Sequence, residues 1–326
     1  MKLHKDADAF RTLIEKVHDK TKYRRDVLEK DYYVVLLLEE LSQLQKEGLN
    51  AFFKGGTALY KALKTTNRFS EDIDISVDTR NCSRTQNEKL LGKATKEYKS
   101  LIRNKNEGFS HRSEVVTIYE YDPIAVYDKT DALQRFGKVK VEATSFTISE
   151  PTETLEIAPM LYELADSDFQ NILKNQYDVD SFKIQIMSLD RIFIDKLFAA
   201  EAYTRKSEDF HKAFEAAKHI YDLSVLSHHS RVMDLYKNSA LMAHLLNIRL
   251  EEEKERLDGI PGVVPSEFTF FESIKTDANI KVAYEEMQRQ YVLRDQDKIE
   301  FDDALVCLRY IKGQLVKNAS WLNIVN

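Results

Sequence analysis

The sequence is sparing with the residues that punctuate or staple a chain: two cysteines, five prolines, nine glycines and one tryptophan in 326 positions. Cys82 and Cys307 stand far apart, with no CxxC or Cys/His cluster beside them, which excludes a disulfide framework and a zinc site and leaves two reduced core thiols. No uninterrupted apolar run reaches membrane-spanning length. The opening MKLHKDADAFRTLIEKVHDK is charged and amphipathic without the apolar centre of a signal peptide, so a cytoplasmic protein without membrane contact is expected. Positive charge is short as well, and a net charge of −6 gives no overall pull toward phosphate backbones. GxGxxG and GxxxxGK[ST] are both absent, which argues against a dinucleotide fold and a P-loop.

What is present is an ordinary globular composition, 43% hydrophobic and 31% charged. The length exceeds the roughly 250–300 residues at which one core stops growing, so two domains are expected. From Ala7 to Lys46 apolar residues recur at helical spacing, most clearly in EKDYYVVLLLEELSQLQK, a buried helix. NAFFKGG reads as a strand entering a glycine turn, TALYKALKTT as a helix opened by a threonine suited to capping, and SEDIDISV as an alternating strand. Lys89–Arg103 reads as a charged helix, followed by neighbouring strands in SEVVTIYEYD and GKVKVEATSFTI. Beyond about Gln185 the periodicity is helical almost throughout, interrupted by the Gly/Pro loop DGIPGVVPSEFTFFES. The expected fold is α/β: a small mixed sheet with flanking helices over 1–184, followed by an all-α bundle over 185–326.

One local basic stretch stands out, Lys93–Arg112, with six Lys/Arg against two Glu, although composition alone fits a solvated helix face. Tyr32, Tyr33 and Tyr203 are aromatic candidates for stacking a nucleobase, in a chain whose aromatic wealth is otherwise core.

The chemistry concentrates in FFKGGTALYKALKTTNRFSEDIDISV. On an extended strand Asp72 and Asp74 share a face while Ile73 and Ile75 enter the core. Two carboxylates ~7 Å apart on one strand face repel unless a cation lies between them, and magnesium is the natural hard counter-ion. A bare DxD more often marks a solvent-facing acidic edge. Here Gly55 and Gly56, lacking Cβ, let the backbone approach a polyphosphate, with Thr57 opening a helix whose amides face the anion. Glu142, at a polar position of KVKVEATSF, supplies a third carboxylate. Such a set orients an NTP, neutralises a leaving pyrophosphate and activates a hydroxyl, which is nucleotidyl transfer.

FKGGTAL followed by RFSEDIDI resembles the AbiEii toxin family of nucleotidyltransferases, within the DNA polymerase beta-like superfamily, and LEKDYYVVLLLEEL at Leu28–Leu41 extends the match upstream. The resemblance implies phosphate contacts at Gly55, Gly56 and Thr57, metal ligation by Asp72 and Asp74, and supporting roles for Arg68 and Ser70; Lys54, beside the turn, joins the expected nucleotide-binding residues and Glu142 the expected metal ligands. KLFAAEAYTR is similar to the family's second motif and nominates Lys196 for the triphosphate and Arg205 for phosphate or acceptor. KHIYD looks like the third motif and gives Lys218 and Asp222, with Asp222 the acceptor-activating base. His219 occupies the place of the family's first Asp, either as a base or as a packing residue. The implied cofactor is magnesium, or manganese; the implied acceptor is RNA, with the 3′ end of tRNA favoured; the implied partner is an antitoxin encoded nearby, in a toxin–antitoxin or phage-defence system. A small-molecule or protein acceptor, and a non-catalytic interaction protein that keeps the fold, stand as the alternatives.

Overall fold

The computed structural model describes residues 2–125, 133–256 and 259–317; the predicted helical tail beyond 317 lies outside them. The chain divides into two compact units, one of Met1–Lys64, Phe69–Ser145 and Thr152–Ile186, the other of Thr65–Arg68, Phe146–Pro151 and Met187–Asn326. Among the described residues no helix is long and apolar enough to cross a membrane.

The first unit is built on a seven-stranded mixed sheet. Its elements run α1 (Ala7–Thr21), α2 (Arg25–Lys46), β1 (Ala51–Lys54), the single turn α3 (Gly55–Thr57) passing into a π-helix (Ala58–Ala62), β2 (Ile73–Val77), α4 (Arg84–Lys96), β3 (Ile102–His111), β4 (Glu114–Glu120), β5 (Lys138–Thr144), β6 (Thr152–Ile157), α5 (Met160–Glu163), α6 (Ser167–Tyr177) and β7 (Phe182–Met187). Across the sheet the strands lie in the order β3-β4-β5-β2-β1-β7-β6. β1 runs antiparallel to β2 and parallel to β7; β2 and β5 are parallel, and β5, β4 and β3 continue antiparallel.

Each element follows from its sequence. Asp6 caps α1 by accepting from the Ala9 amide, and Lys22 at φ 63° ends it. α2 is apolar around most of its circumference and is accordingly buried on most sides. Ser83 and Gln86 form a reciprocal capping box that starts α4. α4 packs on β2, β4 and β5, where alternate side chains, among them Ile73, Ile75, Val139, Val141, Val115 and Tyr119, are buried. The intervening residues of these strands, Asp74, Lys140 and Glu142 among them, emerge on the opposite face.

Two expectations are corrected. The charged helix predicted over Lys89–Arg103 ends at Lys96, and Ile102 already opens β3. Thr57 is not a cap: the helical turn starts at Gly55, after Lys54, without a side-chain cap.

The second unit is all-α: α7 (Leu189–Thr204), α8 (Phe210–Leu226), α9 (Ser230–Lys237), α10 (Ser239–Glu253), α11 (Phe270–Ser273), α12 (Ala278–Tyr291) and α13 (Phe301–Lys317). α8 is its central helix, packed on α7, α12 and α13. Ser188, Asp209, Asn238 and Asp277 each cap the helix that follows. Arg191 and Arg249 are buried inside it and paired with Asp195, Glu252 and Glu253.

Candidate active site

The centre of the site is the contact between the glycine turn and β2. Gly55 has φ +78°, and a β-carbon there would lie 2.1 Å from Oδ2 of Asp74. Only glycine allows both the left-handed backbone and that approach. Thr57 locks the turn in place, sharing a hydrogen bond of 2.9 Å with Ser70 and donating to the Asp72 carbonyl. Ser70 and Thr57 thus bind each other and tie the turn to the strand carrying the acids. The π-helical turn that follows is of a kind often found at functional sites.

Register then aligns the acids. Asp74 lies directly opposite Lys54 on β1 and Glu142 on β5, so the three side chains form one row on the sheet face away from α4. Lys140, two residues before Glu142, shares that face, with its ammonium 3.1 Å from Glu142 and 3.4 Å from Asp72. Arg135 reaches Asp72 at 2.9 Å. Lys54 reaches along the same face to the Thr144 hydroxyl at 3.1 Å.

These charges divide the carboxylates. Burial, then the Glu142 and Asp72 charges, push the Asp74 carboxyl up to about 6. Burial would also raise Glu142, but the Lys140 ammonium hydrogen-bonded to it holds it below the usual carboxylate range. Burial disfavours charge on Lys140, yet Asp72, Glu142 and Asp74 together keep it protonated well above the ordinary lysine value. Glu142 is therefore the first of this pair to ionise and Asp74 the last.

Among the described residues no three His, Cys, Asp or Glu side chains are placed to hold a metal ion, and cationic side chains supply the charge that such an ion would bring. The donor set nonetheless fits one. The chemistry is that of hard oxygen donors: the Asp72 and Glu142 carboxylates share the Lys140 ammonium, Asp74 lies in register with Glu142 and against Gly55, and the lysine stands in for the counter-charge they need.

Two residues of α2 brace this arrangement. Lys30 is fully buried, 3.6 Å from Glu71 and bonded to the carbonyls of Arg135 and Lys138 at the start of β5. Asp31, also buried, pairs with Lys61 of the π-helix at 2.8 Å and accepts from the Met160 amide at 2.6 Å. The EKD string thus anchors both the strand that bears Glu142 and the turn that bears Gly55. Lys30, Asp31, Glu71, Arg135 and Lys140 were not among the residues singled out from the sequence. The alternation of KVKVE places Lys140 and Glu142 on one face and was signal enough for Lys140; nothing local marks Arg135.

The remaining predicted residues belong to the second unit. Arg68 and Lys196 grip Asp222: the guanidinium makes bonds of 3.0 and 2.8 Å, the ammonium one of 2.7 Å, and all three side chains are buried. Burial works against the Asp222 charge, but the two cations hold its carboxyl far below the normal range. A carboxylate with both oxygens engaged by cations is a poor proton acceptor, which speaks against the base role expected of Asp222. Lys218 instead pairs with Glu215 at 2.8 Å and lies over the rings of Phe214 and Tyr291. Arg205 pairs with the buried Glu201 at 2.7 Å. His219 stacks on Tyr203 with centroids 5.5 Å apart, and burial and the nearby Lys196 keep it neutral, so it packs. Tyr32 and Tyr33 are core residues, and Tyr203 has its ring against His219. Tyr32 and Tyr33 therefore offer no open stacking face, and half-buried Tyr203 has the Lys212 ammonium 5.6 Å from its ring centroid as well.

A model of the family described as "Nucleotidyl transferase AbiEii toxin, Type IV TA system" matches residues 36–306. No curated protein matches the chain. Among solved structures, the crystal structure of JHP933 from Helicobacter pylori is 16% identical, covering 93% of this chain and 99% of that one at a TM-score of 0.41. At that level the likeness informs neither the site nor its chemistry.

Proposed function

Since the chain belongs to the AbiEii family of nucleotidyl transferase toxins from type IV toxin–antitoxin systems, we propose that it transfers a nucleoside monophosphate from an NTP to an RNA acceptor, the 3′ end of tRNA. The observation that carries this reading is the row Lys54–Asp74–Glu142, with Asp72 beside it and Gly55 pressed onto Asp74. Asp72, Asp74 and Glu142 would hold magnesium, or manganese, which when bound neutralises phosphate charge and acts as a Lewis acid. The chain's own groups do the rest. Backbone amides at Gly55 and Gly56 would meet the polyphosphate, since neither residue carries a side chain of its own to hold it off. Lys54 and Lys140 supply fixed positive charge along the face where the leaving pyrophosphate gains negative charge. Thr57 and Ser70 hold the turn in register, Asp31 braces the π-helix that follows it through Lys61, and Lys30 braces the strand that carries Glu142. Arg68, Lys196 and Asp222 are assigned to the architecture of the helical unit. The toxin's partner is an antitoxin, and abortive phage infection is the setting in which the pair acts.

The test is incubation of the purified full chain and Mg²⁺ with each α-³²P-labelled NTP and separated pools of RNA, protein and small molecules. Label in RNA at the tRNA 3′ end is the expected result. Label in protein or small molecules reassigns the acceptor, and label in none of them, from a folded chain, favours a non-catalytic interaction protein.

A further inference from the structure

The row that carries the acids does not stop at Glu142. Glu142 lies opposite Val116 on β4, and Val116 lies opposite Phe109 on β3. Directly paired residues of neighbouring strands project to the same face, so Phe109 ends the row begun by Lys54. Two strand spacings, about 10 Å, separate it from the Glu142 position, a distance that a short run of nucleotides spans.

Phe109 is unusual for an aromatic of this chain: it is 46% exposed, on a strand at the edge of the sheet. A bulge places it there. The β3–β4 register shifts between Asn104 and Gly108, and Gly108, at φ +97°, brings its backbone so close that a β-carbon would fall 2.3 Å from the Val116 carbonyl oxygen. The same edge is basic. Lys105 on β3 and Arg112 just past its end are exposed and make no ion pair among the described residues, and the one carboxylate on β3, Glu107, is taken by Lys138. In a chain of net charge −6, an uncovered ring flanked by uncompensated cations is complementary to single-stranded nucleic acid, whose bases stack and whose phosphates need counter-charge.

We propose that the β3 edge is the seat of the acceptor RNA, with Phe109 stacking an unpaired base and Lys105 and Arg112 holding the adjoining phosphates. The identity of the acceptor rests on the transferase reading; the binding surface does not need the chemistry to work.

The experiment measures binding of a fluorescein-labelled single-stranded RNA to the full chain by anisotropy, over a series of salt concentrations and without NTP. Phe109→Ala should weaken binding about tenfold, one stacked base, and leave the salt slope unchanged, while Phe109→Trp restores affinity. Lys105→Ala with Arg112→Ala should lower the log–log salt slope by about 1.4, two phosphates on a single strand. Thermal melting checks that each variant folds. Unchanged RNA affinity in both Phe109→Ala and the double variant overturns the proposal. So does a Phe109→Ala chain that changes oligomeric state by sedimentation with RNA affinity intact, because the edge would then be a contact between copies. The two readings separate through Asp74→Asn. RNA binding by wild type and Asp74→Asn, with no transfer by either, sinks the transferase reading alone; transfer to RNA that ignores Phe109→Ala sinks this surface alone.

Discussion

Gly55 and Asp74 touch in a way that no other residue at position 55 permits: a β-carbon there would stand 2.1 Å from the Asp74 carboxylate oxygen, on a backbone already at φ +78°. The glycine turn and the acid carried by β2 are therefore one structural feature.

Gly55→Ala should cost about 1–3 kcal/mol of stability and abolish transfer, since the methyl displaces Asp74. Gly92→Ala is the matched control. Gly92 lies within α4, with an ordinary φ and nothing within 4 Å of a β-carbon, and alanine there should stabilise by about 0.5–1 kcal/mol. Urea unfolding of both variants reads the difference; equal effects would mean that the contact at Gly55 does not constrain the fold.

Asp74, pushed up to about 6 by burial and by Glu142 and Asp72 against Lys140 and Lys54, makes the metal-free protein pH-sensitive in a stated direction. Its folded value exceeds the unfolded one, so the folded chain keeps a proton that the unfolded chain releases between about pH 4 and 6. That contribution is fully present below about pH 4 and disappears as the pH rises through 6. Asp74→Asn, which carries no such proton, should gain melting temperature relative to wild type on going from pH 4.5 to 7.5 in EDTA. Parallel curves for the two proteins would show that Asp74 titrates normally. Cation binding should run the other way, weakening as the pH falls below 6.

Asp222→Ala should destabilise the chain by about 3–5 kcal/mol, because Arg68 and Lys196 would be left buried without their carboxylate. The same charge sits far below its unfolded value, so its stabilisation is present above about pH 4 and is lost only in strong acid. A variant that melts like wild type yet loses transfer would return Asp222 to a chemical role.

The sequence and the structure agree where one face of an element is buried. IDISV, KVKVEAT and EVVTIYE alternate because α4 covers one side of them, and that alternation made β2, β4 and β5 legible. β3 was missed for the converse reason: an edge strand exposed along nearly its whole length has no apolar period to read. β6 and β7, short and unevenly buried, gave no signal either, and α12 hides among charged residues until its buried Ile280, Ala283, Tyr284 and Met287 are seen together. At the site, residue type and spacing were enough to single out the glycine turn and Asp72, Asp74 and Glu142 as candidates, since backbone proximity and strand period are local properties. Lys30 and Asp31 could not be assigned their work, because buried ion pairs to Glu71 and Lys61 depend on tertiary placement. For the same reason the sequence offered Asp222 as the acceptor-activating base with no sign that Arg68 and Lys196 engage both its oxygens.

The central claim is that nucleotidyl transfer occurs at the carboxylate row beside the glycine turn. The most direct measurement compares the rate of α-³²P label transfer to RNA by wild type and Asp74→Asn, a substitution that keeps the shape pressed against Gly55 but removes the charge. A fall of at least a hundredfold, about 2.7 kcal/mol in the barrier, with an unchanged fold is the predicted result. Transfer by Asp74→Asn at the wild-type rate would contradict it.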